Sequence, residues 1–283
     1  MSQIPDIELR NGTRIPQLGF GVFQVDQSET VEVVRTALEA GYRHVDTAQM
    51  YGNEAEVGEA IRQSGLPRDE VFITTKLHNA RHGRDSAKMA LEESLERLGT
   101  DYVDLYLLHW PVPPAGQYVE SWRGLEELQA AGAVRAIGVS NVTSDHLRYL
   151  ASCSDTVPAV NQVELHPWLL QSELRDYHAE HGIVTEAWRP IAKGGVLGDP
   201  TITRLAEAYA KTPAQVVLRW HIQLGNVVFP KSANRARIRE NIDLFDFEIS
   251  ATDMASISAL DDEPDKPPSR MSEAVTMMSL WSP

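Results

Sequence analysis

The sequence predicts an α/β protein of the (β/α)8 TIM-barrel class, with an N-terminal β-hairpin at the base and a C-terminal loop or tail. Three observations lead there. Apolar runs of strand length alternate with amphipathic stretches of helix length over nearly the whole chain, and such alternation implies a parallel sheet covered by helices. The alternation yields about eight βα units, the number a closed barrel of this size needs. The rival doubly wound sheet needs G-x-G-x-x-G after its first strand. Here Gly19-Phe20-Gly21-Val22-Phe23-Gln24 ends in glutamine, so that fingerprint fails.

The elements follow in order. Ile7-Glu8-Leu9 and Arg14-Ile15 flank Asn11-Gly12, a hairpin signal. Gly19 to Phe23 reads as the first barrel strand. Over 29–40, Val31, Val34 and Leu38 share one helical face, and Gly41 is the stop. Tyr42 to Val45 is the second strand. Asn53 is expected to cap a second helix ending at Gly65. Val71 to Thr75 is a buried strand. Asp85 is expected to cap a third helix, with Leu91, Leu95 and Leu98 inward and Gly99 ending it. Val103 to Leu108 is the next strand. Strand-like runs recur near 134–139, 158–163, 183–188 and 226–230, with helical stretches near 118–131, 144–151, 172–181, 201–211 and 234–243. No Pro/Ser linker interrupts the pattern, so residues 1–283 are expected to form a single domain. Only the final stretch, PDKPPSRMSEAVTMMSLWSP, breaks it, predicting a loop or tail over 264–283.

Bulk properties narrow the function. A net charge of −14 repels nucleic acid and anionic membranes. Cys153 is the only cysteine, which rules out an intrachain disulfide and a cysteine-based zinc site. The opening MSQIPDIELRNG lacks a basic-then-apolar leader, and no apolar run is long enough to span a bilayer. A cytoplasmic enzyme acting on a small molecule is the expectation, with monomer as its state and no metal.

In such barrels chemistry sits where strands end. Asp46 follows the second apolar run, Lys76 the third, and His109 and Trp110 the fourth. Ser140 and Asn141 end the fifth, Gln162 and Glu164 the sixth, Trp188 the seventh, and Lys231 and Ser232 follow the eighth. Tyr51 lies five residues past Asp46, in DTAQMYGNE. A phenol has an ordinary pKa near 10, and an adjacent ammonium is expected to lower it. Asp46, Lys76 and Tyr51 therefore read as one coupled set. Tyr51 gives a proton, Lys76 tunes it and Asp46 orients Lys76, while His109 aligns a substrate oxygen. That set suits general-acid protonation of an oxygen gaining charge, as when hydride reduces a carbonyl.

The ordered series GYRHVDTAQMYGNE, ITTKL, DLYLLHWP, GVSN, NQVELHP and PKSANRARIRENIDLFDF spans most of the chain. It resembles the aldo-keto reductases, with most likeness to bacterial 2,5-diketo-D-gluconate reductases. The resemblance implies the same barrel, NADPH (NADP+) as cofactor without a Rossmann domain, and reduction of small dicarbonyls or keto-sugars. It implies that Asp46, Tyr51, Lys76 and His109 are catalytic. It implies that Ser140, Asn141 and Gln162 hold the nicotinamide carboxamide and that Trp188 stacks on the ring. Lys231, Ser232 and Arg237 would hold the 2′-phosphate, with Glu240 and Asn241 near the adenine. Arg235 and Arg239 add to the basic run in an otherwise acidic chain, and guanidinium suits phosphate.

Phe23, Met50, His78 and Trp110 are candidate pocket residues, with Met50 also readable as core filler. His78 stands where the similar reductases carry tryptophan, and Arg189 where they carry a small residue. Lys193-Gly194-Gly195 is a candidate diphosphate loop, and Met277, Leu280 and Trp281 candidate pocket residues from the tail. Other readings compete. His44 and Asp46 share a strand face, which a metal hydrolase would use. His166 and His221 read as structural histidines with satisfied hydrogen bonds. Lys76 is a candidate Schiff-base lysine of an aldolase, and the barrel is also readable as a non-catalytic NADPH sensor.

Overall fold

The structure, a computed structural model, describes residues 4–112 and 117–262. The 264–283 segment, with Met277, Leu280 and Trp281, lies outside the described residues. The chain opens with an antiparallel hairpin, β1 (Asp6–Glu8) and β2 (Arg14–Pro16), turned through Asn11-Gly12. The barrel strands follow: β3 (Phe20–Gly21), β4 (His44–Asp46), β5 (Phe72–Leu77), β6 (Val103–Leu108), β7 (Val134–Ser140), β8 (Val160–Glu164), β9 (Val184–Trp188) and β10 (Val227–Val228). Neighbours pair in parallel in chain order. A parallel bridge from Leu18 to Val228, with Gly19 N donating to Val228 O at 2.9 Å, brings the first and last strands together.

The helices are α1 (Gln27–Ala40), α2 (Glu54–Ser64), α3 (Arg84–Leu98), α4 (Tyr118–Ala130), α5 (Ser144–Cys153), α6 (Ser172–His181), α7 (Pro200–Tyr209), α8 (Pro213–Gln223), α9 (Arg235–Ile242) and α10 (Ala251–Ser258). None is long and apolar enough to cross a membrane among the described residues. The core divides into two clusters. Outward strand residues such as Ile73, Tyr106 and Ile137 pack under the helices. The lower barrel interior holds Phe72, Leu105, Leu107, Val227 and Phe229, plugged from below by Leu9 and Ile15 of the hairpin region. Each such side chain contributes about 1.5–3 kcal/mol on burial. With the base sealed, ligand access is left to the opposite end.

Local differences from the expected elements have simple causes. Asn53 stands at the start of α2 but makes no cap bond. Its side chain instead accepts from Thr47 Oγ1 at 3.0 Å and donates to Val22 O at 3.1 Å, tying the two loops beside the second strand. Asp85 lies inside the first turn of α3, where Gly83 holds the cap position; it ion-pairs with Lys88 at 2.9 Å. Helix α8 was not among the expected stretches, although Thr212 and Gln215 form a full capping box ahead of it with Pro213 in its first turn. The same holds for α10, capped by Ser250. Both lie outside the simple one-strand, one-helix repeat.

His44 is buried with both ring nitrogens engaged, Nε2 with Thr74 Oγ1 at 2.9 Å and Nδ1 with Pro16 O at 3.3 Å. Burial lowers its pKa to about 3, so it is a neutral packing residue in the barrel floor. His221 likewise binds Pro190 O and the Asn226 amide. His166 differs from expectation: its Nδ1 is buried without a partner among the described residues, and Nε2 stands 3.8 Å from Glu164.

Gly58 shows how tightly α2 and α3 are pressed together, since a Cβ there would collide with the Leu98 backbone. Helix propensity alone would make Gly58→Ala stabilising by about 1 kcal/mol. A backbone clash of this kind costs about 3 kcal/mol. Net destabilisation of about 2 kcal/mol is expected from the urea midpoint, and a stabilised variant would show that the helices separate freely.

Candidate active site

The short turn Gln49–Tyr51 leaves the end of β4 and folds back over the barrel mouth, ended by Gly52 in the left-handed region at φ 71°. Asp46 is the last residue of β4, and Lys76 lies near the end of β5 next door. Their side chains therefore meet inside the mouth. Lys76 is fully buried, with Nζ at 2.8 Å from both Asp46 carboxylate oxygens and 2.8 Å from Thr47 O. Nζ also reaches the Tyr51 hydroxyl at 3.3 Å. The structure brings the three residues singled out from sequence into contact.

The direction of the phenol's shift differs from the sequence expectation. Burial is the largest influence on Tyr51 and pushes its pKa up; the Lys76 charge pulls it down without overcoming burial, and Asp46 adds to the rise. The phenol is thus held protonated. Burial works to lower the Lys76 pKa, but the Asp46 charge and then Tyr51 outweigh it, so the ammonium is held above the ordinary lysine value. His109 stacks edge-on against Tyr51 at 5.7 Å between ring centroids. Burial, then the charges of Lys76 and His78, lower its pKa to about 3. It is a neutral imidazole whose Nδ1 has no hydrogen-bond partner among the described residues.

Around this centre lie the pocket candidates. Phe23 sits 5.0 Å from the Tyr51 ring and is 51% exposed. Met50 is 46% exposed, which rules out the core-filler reading. His78 and Trp110 are half-buried. His78 Nδ1 accepts from Ala80 N at 3.0 Å, and its own backbone N–H donates to Gln49 Oε1 at 3.2 Å. Trp110 is anchored through its carbonyl by His82 Nε2 at 3.0 Å, a support that the sequence reading missed.

On the far wall the expected cofactor residues hold one another. Asn141, at φ 60°, donates from Nδ2 to His109 O and Ser140 Oγ, each at 3.0 Å, and accepts from Trp188 Nε1 at 2.9 Å. Ser140 Oγ donates to Gln162 O at 2.8 Å. Gln162 Nε2 donates to Asp46 Oδ2 and to Glu186 Oε2, both at 2.9 Å. Glu186 was not singled out from sequence, although a glutamate inside the apolar run VTEAW, two residues before Trp188, marks an inward polar position. Arg189 turns away to pair with Glu164 at 2.8 Å. Lys193 and Gly194 both lie in the left-handed region, at φ 57° and 92°, within the loop that follows.

The basic run stands after the last strand. Ser232 Oγ accepts from Asn234 N at 3.0 Å, and Asn234 caps α9 by accepting from Ala236 N and Arg237 N. Lys231 and Arg237 are exposed and make no ion pair among the described residues, whereas Arg235 is held by Glu32 at 2.6 Å. The Glu240 carboxylate accepts from Thr212 at 2.8 Å, and Asn241 is buried.

Comparison with known proteins agrees with this architecture. The sequence profile described as the Aldo/keto reductase family matches residues 17–262. An aldo-keto reductase of Mycobacterium sp. (strain JLS) is 53% identical over 258 residues, 91% of this chain and 94% of that protein. The aldo/keto reductase of Brucella melitensis superposes with a TM-score of 0.89 at 50% identity, covering 92% of this chain and 100% of the other. A Gox0644 variant solved in complex with NADPH gives 0.91 at 45% identity, with 96% and 98% covered. A Bombyx mori aldo-keto reductase in complex with NADP gives 0.85 at 37%, with 94% and 96% covered. From its profile match, its relatives and its barrel alike, this chain belongs to the aldo/keto reductase family.

Proposed function

We propose that this chain reduces aldehydes and ketones, in particular small dicarbonyls or keto-sugars, to alcohols with NADPH, using Tyr51 as the proton donor. It would act as a cytoplasmic monomer. The observation that carries the reading is the contact of the Tyr51 hydroxyl with the buried, ion-paired Lys76 ammonium at 3.3 Å.

The residues fit the cofactor. Exposed Lys231 and Arg237, without ion-pair partners among the described residues, offer positive charge to a phosphate. The linked Ser140, Asn141, Gln162 and Trp188 make a polar wall with one aromatic face opposite the catalytic set. When bound, the reduced nicotinamide supplies the hydride that the carbonyl carbon accepts.

The rest is proton chemistry on this chain. The carbonyl oxygen gains negative charge as its carbon takes up hydride, and Tyr51 gives that oxygen its proton. Burial keeps the phenol loaded beforehand. Lys76 then faces the phenolate left behind, and Asp46 holds the ammonium in place. His109, with its pKa near 3, is too weak a base to be the charged donor at neutral pH; it serves as a neutral hydrogen-bond donor that aligns the oxygen. A Schiff-base role for Lys76 needs a free neutral amine, which the raised pKa and the Asp46 pair oppose.

General-acid catalysis is typically worth about 10²–10⁴-fold. Tyr51→Phe is therefore expected to lower kcat/KM by at least about 100-fold, with the NADPH Kd from fluorescence quenching nearly unchanged. Full activity in that variant would remove Tyr51 from the role. A charge-assisted hydrogen bond contributes about 1.5–3 kcal/mol. Lys231→Ala is accordingly expected to weaken NADPH by roughly 10- to 100-fold while barely affecting NADH. Equal weakening of both would show that Lys231 does not read the 2′-phosphate.

A further inference from the structure

Glu186 is a buried carboxyl that the catalytic scheme above does not use. It projects into the barrel from β9, level with Gln162 on β8, its register partner. Its Oε2 accepts from Gln162 Nε2 at 2.9 Å, while Oε1 is buried with no partner among the described residues. The same Gln162 nitrogen donates to Asp46 Oδ2 at 2.9 Å. One amide NH2 is thus shared between two carboxyl groups. A flipped amide would set its carbonyl against the Asp46 carboxylate, which can only accept, and that contact is repulsive. The glutamine side chain is left with one favoured orientation, and its Oε1 accepts no hydrogen bond among the described residues.

We propose that Glu186 is a positioning residue for the reduction: with Asp46 it locks the Gln162 amide, so that the carbonyl edge of Gln162 is the one offered to the carboxamide NH2 of the nicotinamide. The inference rests on the reading above that Gln162 borders the nicotinamide. It adds that the orientation is set from beneath, by a residue that touches neither cofactor nor substrate.

The protonation state of Glu186 belongs to the same device. Among the described residues, the charged groups acting on it are Asp46 from β4, which disfavours its ionisation, and Lys76 from β5, which favours it. Burial is the largest influence, and the pKa is pushed up to about 8. At neutral pH the proton belongs on Oε1, since Oε2 receives the amide N–H. The single Lys76 ammonium is then matched by the single Asp46 carboxylate. Above about pH 8 a second anion appears in the barrel. It would raise the Tyr51 pKa further and favour a cationic oxidised nicotinamide over the neutral reduced ring.

The test uses Glu186→Gln, Glu186→Leu and Gln162→Leu in the full chain. Fluorescence titration gives Kd for NADPH and NADP+, and phenylglyoxal reduction from pH 6 to 9.5 gives kcat and KM. Glu186→Leu is expected to weaken NADPH about tenfold, and Glu186→Gln, which mimics the protonated carboxyl, to recover most of that affinity. Wild type is expected to favour NADP+ progressively over NADPH as pH rises past 8, with kcat falling severalfold; Glu186→Gln is expected to lose both trends. If Gln162→Leu weakens NADPH but Glu186→Gln retains the wild-type pH trends and Glu186→Leu binds normally, Glu186 does not position Gln162. If Gln162→Leu itself binds NADPH normally, the placement of the nicotinamide beside Gln162 fails first. Should Glu186→Leu not fold, the pH trends of Glu186→Gln still decide.

Discussion

A lysine ammonium with no solvent exposure governs the mouth of this barrel. Removing such an ion from water carries a penalty of several kcal/mol, which only a well-placed anion and further hydrogen bonds offset. Asp46 supplies the anion, Thr47 a carbonyl and Tyr51 a phenol, which accounts for the donor capacity of Lys76. Those partners come from the end of β4 and the turn after it, so the ion fixes where the chain goes on leaving that strand. The phenol is set in place by the same requirement.

The remaining polar residues of the mouth extend this arrangement across the barrel. Asp46 accepts from the Gln162 side chain, which also donates to Glu186, and the Gln162 backbone carbonyl accepts from the Ser140 hydroxyl. Ser140 and His109 are in turn bound by Asn141, which also anchors Trp188. The network therefore joins the side proposed for proton transfer to the wall proposed for the nicotinamide. Below it, the barrel interior turns apolar, and Leu9 and Ile15 close the base. Inside the barrel, the buried charged residues Asp46, Lys76 and Glu186 lie on the polar side of this division, away from the sealed apolar end.

Much of this was legible because parallel strands covered on both faces read as nearly continuous apolar runs. Such runs make a polar residue at their ends easy to see, and Asp46, Lys76, His109, Ser140 and Gln162 all stood out in that way. Glu186 did not, because it interrupts a run rather than ending one. Helix α8 was missed because only three residues, 210–212, separate it from α7; its capping box, Thr212 with Gln215, was a local signal for the boundary. Asn53 and Asp85 had the residue types of caps, but tertiary partners claimed the first and Gly83 displaced the second. The upward shift of Tyr51 was invisible for a different reason. The ammonium beside it can be guessed from sequence, but the burial that outweighs it depends on packing from the whole mouth.

The central claim is that Asp46 and Lys76 act as one buried unit supporting Tyr51. A double-mutant cycle on unfolding free energy, with Asp46→Asn, Lys76→Met and the pair together, measures this most directly. Each single change strands a buried partner and is expected to cost about 3–5 kcal/mol. The double variant is expected to lose clearly less than the sum, with a coupling of about 2 kcal/mol or more. Strict additivity, with each single change costing under about 1 kcal/mol, would mean that the two residues do not depend on each other and would contradict the account.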